Sequence, residues 1–129
     1  MKRVILESPF AGDTSSNILY ARRALHDSLH LGEAPIASHL LYTQPGVLRD
    51  GVEAERELGI TAGLEWRKVA ELQVFYTDRG WSTGMLSALI QCLRESRPLE
   101  LRALDGPIKL PDGFDEEIKE YLTNNFRKD

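Results

Sequence analysis

Short apolar runs that end in polar loops alternate along this chain with longer segments whose apolar residues recur every three to four positions. The apolar runs lie at 4–6, 34–37, 72–77 and 98–102, and each has the length and bounding residues of a buried strand. A strand-helix order repeated four times predicts a parallel sheet between helices, because right-handed crossovers leave few other ways to bury such a sheet.

Helical periodicity fills the intervals between these strands. The pattern predicts helices at about 16–31, 51–70 and 112–127, and a further helix that opens at Ser82. Trp66 and Cys92 lie on apolar stripes, so we expect both in the core rather than in a site. The predicted fold is therefore α/β: a three-layer sandwich with a mainly parallel, flavodoxin-like sheet of four to five strands.

Length and charge narrow the class of protein. The 129 residues suit one domain covering 1–129, and 20 acidic against 16 basic residues give a net charge of −4, which disfavours nucleic-acid polymers as partners. Cys92 stands alone and excludes an intrachain disulfide. With no signal-peptide core or membrane-spanning run in the sequence, we expect a cytoplasmic protein without a membrane partner.

The loops after the first three strands are the expected ligand site, because parallel sheets bind ligands at the carboxyl ends of their strands. These loops carry Glu7, Asp13, His39, Tyr42, Gln44, Asp78, Ser82 and Thr83. The spacing Asp78-x3-Ser82-Thr83-Gly84 places an acid at a strand end before a small-residue helix start, whose free amides suit a phosphate or a sugar oxygen. The alternative is a turn residue followed by an ordinary N-cap.

Two further loop features have both a functional and a structural interpretation. The segment 8–13 suits a phosphate or ribose cradle, although Asp13 also suits a helix cap. His39 either acts on a ligand or is a structural histidine, and Trp81 suits base stacking, a hydrophobic plug or a subunit contact. No P-loop or GxGxxG motif is present and His26 and His30 fit a solvated face, so we expect neither a cofactor nor a metal.

Several segments resemble a known group of proteins: residues 7–13, Asn17-x-x-Tyr20-Ala21-Arg22, residues 32–44, and Tyr76-Thr77-Asp78-x3-Ser82-x-Gly84-Met85. They are similar to small uncharacterised proteins, many of them phage-encoded, which in turn resemble the nucleoside 2-deoxyribosyltransferase-like fold. The resemblance covers about residues 3–105.

The resemblance implies roles for particular residues. Ser8, Pro9 and Phe10 would enclose a nucleoside; Asp78 would handle the substrate, and Ser82 and Gly84 would approach the sugar or 5′-phosphate. Gly12 and Asp13, in the same loop as Ser8, are further ligand-binding candidates from their position alone. The catalytic glutamate of such enzymes lies four residues after that glycine. Here that position is Ala88, which cannot form a covalent intermediate. Glu7 and Asp78, with His39 as a proton carrier, are the remaining catalytic candidates.

These observations leave three hypotheses for function. The first is a nucleoside- or nucleotide-binding protein that cleaves or transfers at an N-glycosidic bond. The second is a catalytically silent binder that sequesters a nucleotide-derived signal in phage–host conflict, and the third is a purely structural or interaction role. We also expect a homo-oligomer, because Gly59-x-x-x-Gly63 would permit close helix approach at a subunit boundary.

Overall fold

The computed structural model describes residues 1–128, which form four strands and five helices. In chain order these are β1 (Lys2–Glu7), α1 (Thr14–His30), β2 (Glu33–Ile36), α2 (Ser38–Leu41), α3 (Glu53–Arg67), β3 (Leu72–Tyr76), α4 (Thr83–Arg94), β4 (Leu99–Arg102) and α5 (Glu116–Thr123). All strand pairs are parallel and the strand order is β2-β1-β3-β4. The α/β fold with a flavodoxin-like parallel sheet is therefore confirmed.

Helices cover both faces of this sheet. Residues alternate across it, so Val4 and Leu6 of β1 and Val74 and Tyr76 of β3 pack with α1 in one apolar cluster. Phe75 points the other way, into a second cluster with α4, β4 and α5 that contains the fully buried Cys92. The core position predicted for Cys92 is confirmed.

The observed helix boundaries differ from those expected. Helix α1 begins two residues early because the Asp13 side chain accepts a hydrogen bond from the Ser16 N–H and caps it. Helices α3 and α5 are shorter than 51–70 and 112–127, and α5 starts after Asp115, whose side chain accepts from the Ile118 N–H. The short helix α2 lies in a segment that had been expected to be loop.

Helix α3 corrects the predicted core. Trp66 is 46% exposed and Leu58 is 58% exposed, so the apolar stripe faces outwards. The inward face is formed instead by Gly59, Gly63 and Arg67, which follow one another at four-residue spacing. A Cβ on Gly63 would lie 2.7 Å from the Ser38 Oγ. The two glycines therefore let α3 pack closely against other residues of the same chain. The Gly59-x-x-x-Gly63 motif is thus no longer an argument for a subunit contact.

The strand order places a topological switch point between β1 and β3. Helix α1 follows β1 on one face, and α4 follows β3 on the other, so their starting loops diverge and leave a crevice at the carboxyl ends of the strands. Within residues 1–128, no helix has the combination of length and apolar character needed to cross a membrane.

Candidate functional site

A cavity of about 390 Å³ occupies this crevice. Its volume falls within the range of roughly 300–1,000 Å³ typical of small-molecule sites. The walls come from the loops after β1 and β2, from the inward face of α3 and from the first half of α4. The cavity therefore lies where parallel sheets usually bind ligands.

The structure brings together some of the candidate residues and separates others. Eight line the cavity: Glu7, Ser8, Phe10, His39, Tyr42, Ser82, Thr83 and Gly84. Pro9, Gly12, Asp13, Gln44 and Asp78 are not among its lining residues. The functional role of each of these residues stays a prediction.

Asp78 has a structural environment of its own. Its carboxylate accepts hydrogen bonds from the Tyr20 hydroxyl, from the Leu104 N–H at 3.2 Å and from the Asp105 N–H at 2.8 Å. Burial opposes its ionisation, but these hydrogen bonds outweigh burial and lower the pKa of Asp78. This carboxylate ties the loop after β3 to the segment after β4.

The other residues outside the lining shape the neighbouring loops. Asp13 caps α1, and Gly12 has a φ of +91°, a left-handed conformation that favours glycine. The Gln44 side chain donates to the Leu40 carbonyl at 2.9 Å, while Pro9 is buried. Trp81 stacks on Phe75 and its indole N–H donates to the Lys109 carbonyl at 2.9 Å, an arrangement that matches the hydrophobic-plug interpretation.

Glu7 is the carboxyl group at the base of the cavity. It ends β1 on the sheet face that carries Phe75 and keeps only partial exposure. Burial raises the pKa of Glu7 to about 7, against the opposing effects of the Arg67 charge and of a 3.2 Å hydrogen bond from the Gln73 side-chain amide. A carboxyl with this pKa can donate or accept a proton near neutral pH.

Arg67 is one of several cavity-lining residues that were not predicted from the sequence. It is 6% exposed, lines the cavity and is the charge that acts on Glu7. An arginine in the last turn of a helix ordinarily indicates a solvated residue that complements the helix dipole. The available signal was its spacing from Gly59 and Gly63, which places all three on one helix face.

His39 and Ser8 join the first two loops. The His39 Nε2 lies 2.7 Å from the Ser8 Oγ, and its Nδ1 is buried without a hydrogen-bond partner among the described residues. Burial lowers the pKa of His39 to about 4, so the imidazole is neutral at neutral pH. With this pKa the imidazole is a weak base, so it does not act as a ready proton carrier at neutral pH.

Aromatic and helix-terminal groups form the remaining walls. Tyr42 lines the cavity, and its hydroxyl accepts from the Trp66 indole N–H at 2.8 Å. Ser82 caps α4 by accepting from the Met85 N–H at 3.2 Å. A Cβ on Gly84 would meet only the Ser82 Oγ at 4.0 Å, so the helix start is open to a ligand. Ala88, one turn further along, also lines the cavity.

No group of three or more His, Cys, Asp or Glu side chains in residues 1–128 is arranged to hold a metal ion. His26 and His30 are both exposed on α1, with ring centroids 4.0 Å apart, as expected for a solvated face.

The fold has a counterpart among solved structures. The chain is similar to a 2-deoxyribosyltransferase from Bacillus psychrosaccharolyticus, with 20% identity and a TM-score of 0.62 over 98% of this chain and 86% of that one. That protein is described as a biocatalyst for nucleoside synthesis. At this identity the likeness shows the fold: the chain has the nucleoside 2-deoxyribosyltransferase-like fold.

Sequence comparison assigns the family. No curated protein sequence matches the chain. The family model described as "Domain of unknown function (DUF7768)" matches residues 2–102, which include all four strands and every residue that lines the cavity. The chain therefore belongs to the DUF7768 family.

Proposed function

We propose that the cavity binds a nucleoside or nucleotide-like molecule and that Glu7 acts in cleavage or transfer at its N-glycosidic bond. The observation that carries this proposal is a carboxyl group with a pKa of about 7 at the base of a cavity of about 390 Å³. The fold adds support, since the similar solved structure is a 2-deoxyribosyltransferase.

Hydrolysis would use both protonation states of Glu7. Neutral Glu7 donates its proton to the leaving base as the bond between the anomeric carbon and the base nitrogen breaks, and the electron pair stays on that nitrogen. A water oxygen then bonds to the anomeric carbon and gives its proton to the Glu7 carboxylate. The sum is nucleoside plus water to free sugar plus base, and a pKa near the working pH suits both steps.

The rest of the cavity supplies groups for binding. Phe10 and Tyr42 offer aromatic surface to a base. The amides of Thr83 and Gly84 at the start of α4 suit sugar or phosphate oxygens, because first-turn N–H groups have no partner within the helix.

A second function is favoured by one specific observation. Ala88 lines the cavity at the position where the resemblance implies a glutamate nucleophile. The alternative proposal is therefore a binder without turnover, which sequesters a nucleotide-derived molecule. Under either proposal, 2-deoxyribosyl exchange between bases is expected to be slow, because it lacks the covalent step.

The two functions are separated by assaying binding and base release together. A panel of nucleosides and nucleotides is incubated with the protein, free base is detected by chromatography, and affinity is measured by calorimetry. We expect Glu7→Gln to abolish base release while keeping affinity within a few-fold, and Glu57→Gln, at an exposed carboxyl of α3, to behave as wild type. Binding without release in the wild type would favour the silent binder, and absence of both would reject the site.

We further propose that the protein forms a homo-oligomer through the outer surface of α3. Leu58 and Trp66 are 58% and 46% exposed on that surface, and Val69, just beyond the end of the helix, is 51% exposed. Light scattering at micromolar concentration is expected to give a multiple of the 14.6 kDa chain mass, and Leu58→Glu is expected to lower it. A monomer mass for the wild type would contradict the proposal.

A further inference from the structure

Arg67, which lines the cavity, is a buried cation with unused hydrogen-bond donors. The Nε and Nη2 atoms of Arg67 are both buried and make no hydrogen bond to any described residue. A buried guanidinium is costly unless a carboxylate or other acceptors compensate it. We therefore expect a carboxylate close to Arg67 to act as its counter-charge.

Two carboxyl groups are near Arg67, and one of them is already engaged. The Glu95 Oε2 lies 3.9 Å from the Arg67 Nη2, but Glu95 is on the surface and accepts from the Arg97 Nε and, at 3.0 Å, from the Gln91 side chain. Glu7 is the other carboxyl, and the Gln73 amide is its hydrogen-bond donor. Glu7 therefore has free acceptor positions for the unpaired N–H donors of Arg67.

Gln73 completes the arrangement. It is 3% exposed, and its Oε1 is buried without a partner while its Nε2 donates to Glu7. A rotation of the amide by half a turn would exchange these two atoms and let Gln73 accept from a protonated Glu7. Ionised Glu7 needs hydrogen-bond donors, and the Arg67 Nε and Nη2 are donors without a partner. Protonated Glu7 needs an acceptor, and the Gln73 Oε1 is an acceptor without a partner.

We propose that Arg67 is the positioning residue of the site: its buried guanidinium is the counter-charge for ionised Glu7, whereas Gln73 holds Glu7 when it is protonated. The groups that face Glu7 are Arg67 from α3 and Gln73 from β3, with the Cys92 thiol of α4 within electrostatic reach. The inference rests on the proposed function for the part that Glu7 plays in a reaction, although the coupling itself needs no substrate.

The coupling can be measured without a ligand by following the Glu7 carboxyl carbon by NMR across pH, with the Glu7→Gln spectrum identifying the signal. We expect Arg67→Met and Arg67→Gln to raise the pKa of Glu7 by about one unit or more, which is a tenfold fall in the ratio of ionised to protonated Glu7 at a given pH. Arg67→Lys should restore part of the difference. Arg56→Met changes an exposed arginine of the same helix and cavity and should leave the titration unchanged.

The outcomes distinguish this inference from the proposed function. Equal Glu7 titration in the wild type and in folded Arg67→Met and Arg67→Gln would overturn the role of Arg67, whatever the assay for base release gives. A shift in these variants without any base release would support the coupling and reject catalysis. Loss of activity in Arg67→Met with unchanged titration would indicate a structural role for Arg67 and contradict the inference.

Discussion

Two buried arginines lie in this small fold, and their surroundings are opposite. Arg102 of β4 is 1% exposed, and each of its three guanidinium nitrogens donates to an acceptor. Its Nη1 and Nη2 donate to the two Glu33 carboxylate oxygens at 2.8 and 2.7 Å, its Nη1 also to the Tyr76 hydroxyl at 3.2 Å, and its Nε to Glu100 at 2.7 Å. Arg67 is nearly as buried, yet its Nε and Nη2 have no hydrogen-bond partner among residues 1–128.

The difference follows from what each arginine adjoins. Arg102 connects β4 to β2 beneath α1, and the Ser28 hydroxyl supports the pair by donating to Glu33 at 2.8 Å. Arg67 adjoins the cavity and a carboxyl group that ionises near neutral pH. Native proteins satisfy nearly all buried polar groups, and exceptions concentrate at functional sites. The comparison therefore sets an arginine that is held by a network of hydrogen bonds against one whose proposed partner is a carboxyl group with a raised pKa.

The contrast between the two arginines predicts its largest effect on the free energy of unfolding. We expect Arg102→Met to lower it by about 3–5 kcal/mol, because the Glu33 carboxylate is left without its cation. Arg67→Met should change it by about 1 kcal/mol or less, since the Arg67 Nε and Nη2 make no hydrogen bond and Glu7 can bind a proton when its counter-charge is removed. Urea unfolding at neutral pH measures both. Similar losses in the two variants would show that Arg67 is as fully paired as Arg102.

The second prediction concerns Glu7 and pH. Burial raises the pKa of Glu7 from 4.5 to about 7, so its stabilising effect is fully present below about pH 4.5 and is lost as the pH rises through 7. Glu7→Gln should therefore exceed the wild type in stability by about 1–3 kcal/mol at pH 8, and the difference should vanish near pH 4.5. Urea midpoints across this range test the sign, and a constant difference would contradict it.

The contribution of His39 to stability should change with pH in the opposite direction to that of Glu7. The pKa of His39 is lowered from 6.5 to about 4, so its stabilising effect is present above pH 6.5 and is lost as the pH falls through 4. Replacing it by Gln should cost about 1 kcal/mol at pH 7, through the hydrogen bond to Ser8, and less or nothing at pH 4. The same urea series measures it, with His26→Gln as a matched change at an exposed histidine. A growing cost towards low pH would be the wrong sign.

The sequence predicted the sheet and the edge that carries the cavity, because apolar runs and helical periodicity are local signals. The core position of Cys92 was also predicted correctly: it is buried on α4 together with Met85, Ala88 and Leu89. Helix α3 escaped this reasoning, since its inward face is two glycines and an arginine while Leu58 and Trp66 point outwards. Hydrophobic periodicity cannot identify a helix face that packs closely because two of its residues are glycines.

Long-range contacts explain the remaining differences at the site. Asp78 is bound by backbone N–H groups from a segment 26 and 27 residues further along the chain, and no local pattern reveals such a partner. Glu7 was recognisable from its place after β1, but its raised pKa depends on burial beneath α3 and α4. Position along a strand is readable from sequence, whereas the electrostatics of the position depend on packing.

The smallest predicted effect tests which of its two carboxylate partners, Glu33 or Glu100, contributes more to holding Arg102. Glu100 is 30% exposed and contacts only the Arg102 Nε, whereas Glu33 is 12% exposed and accepts from two nitrogens. Partly exposed ion pairs contribute little, so Glu100→Gln should lower the free energy of unfolding by less than about 1 kcal/mol, and its amide oxygen can still accept from Arg102. Glu33→Gln should cost more, because it leaves the buried guanidinium without its main counter-charge. Urea unfolding of both variants, with the Arg102→Met value as the upper reference, decides between them. Equal losses would mean that Arg102 depends on Glu100 as much as on Glu33, which would contradict the prediction.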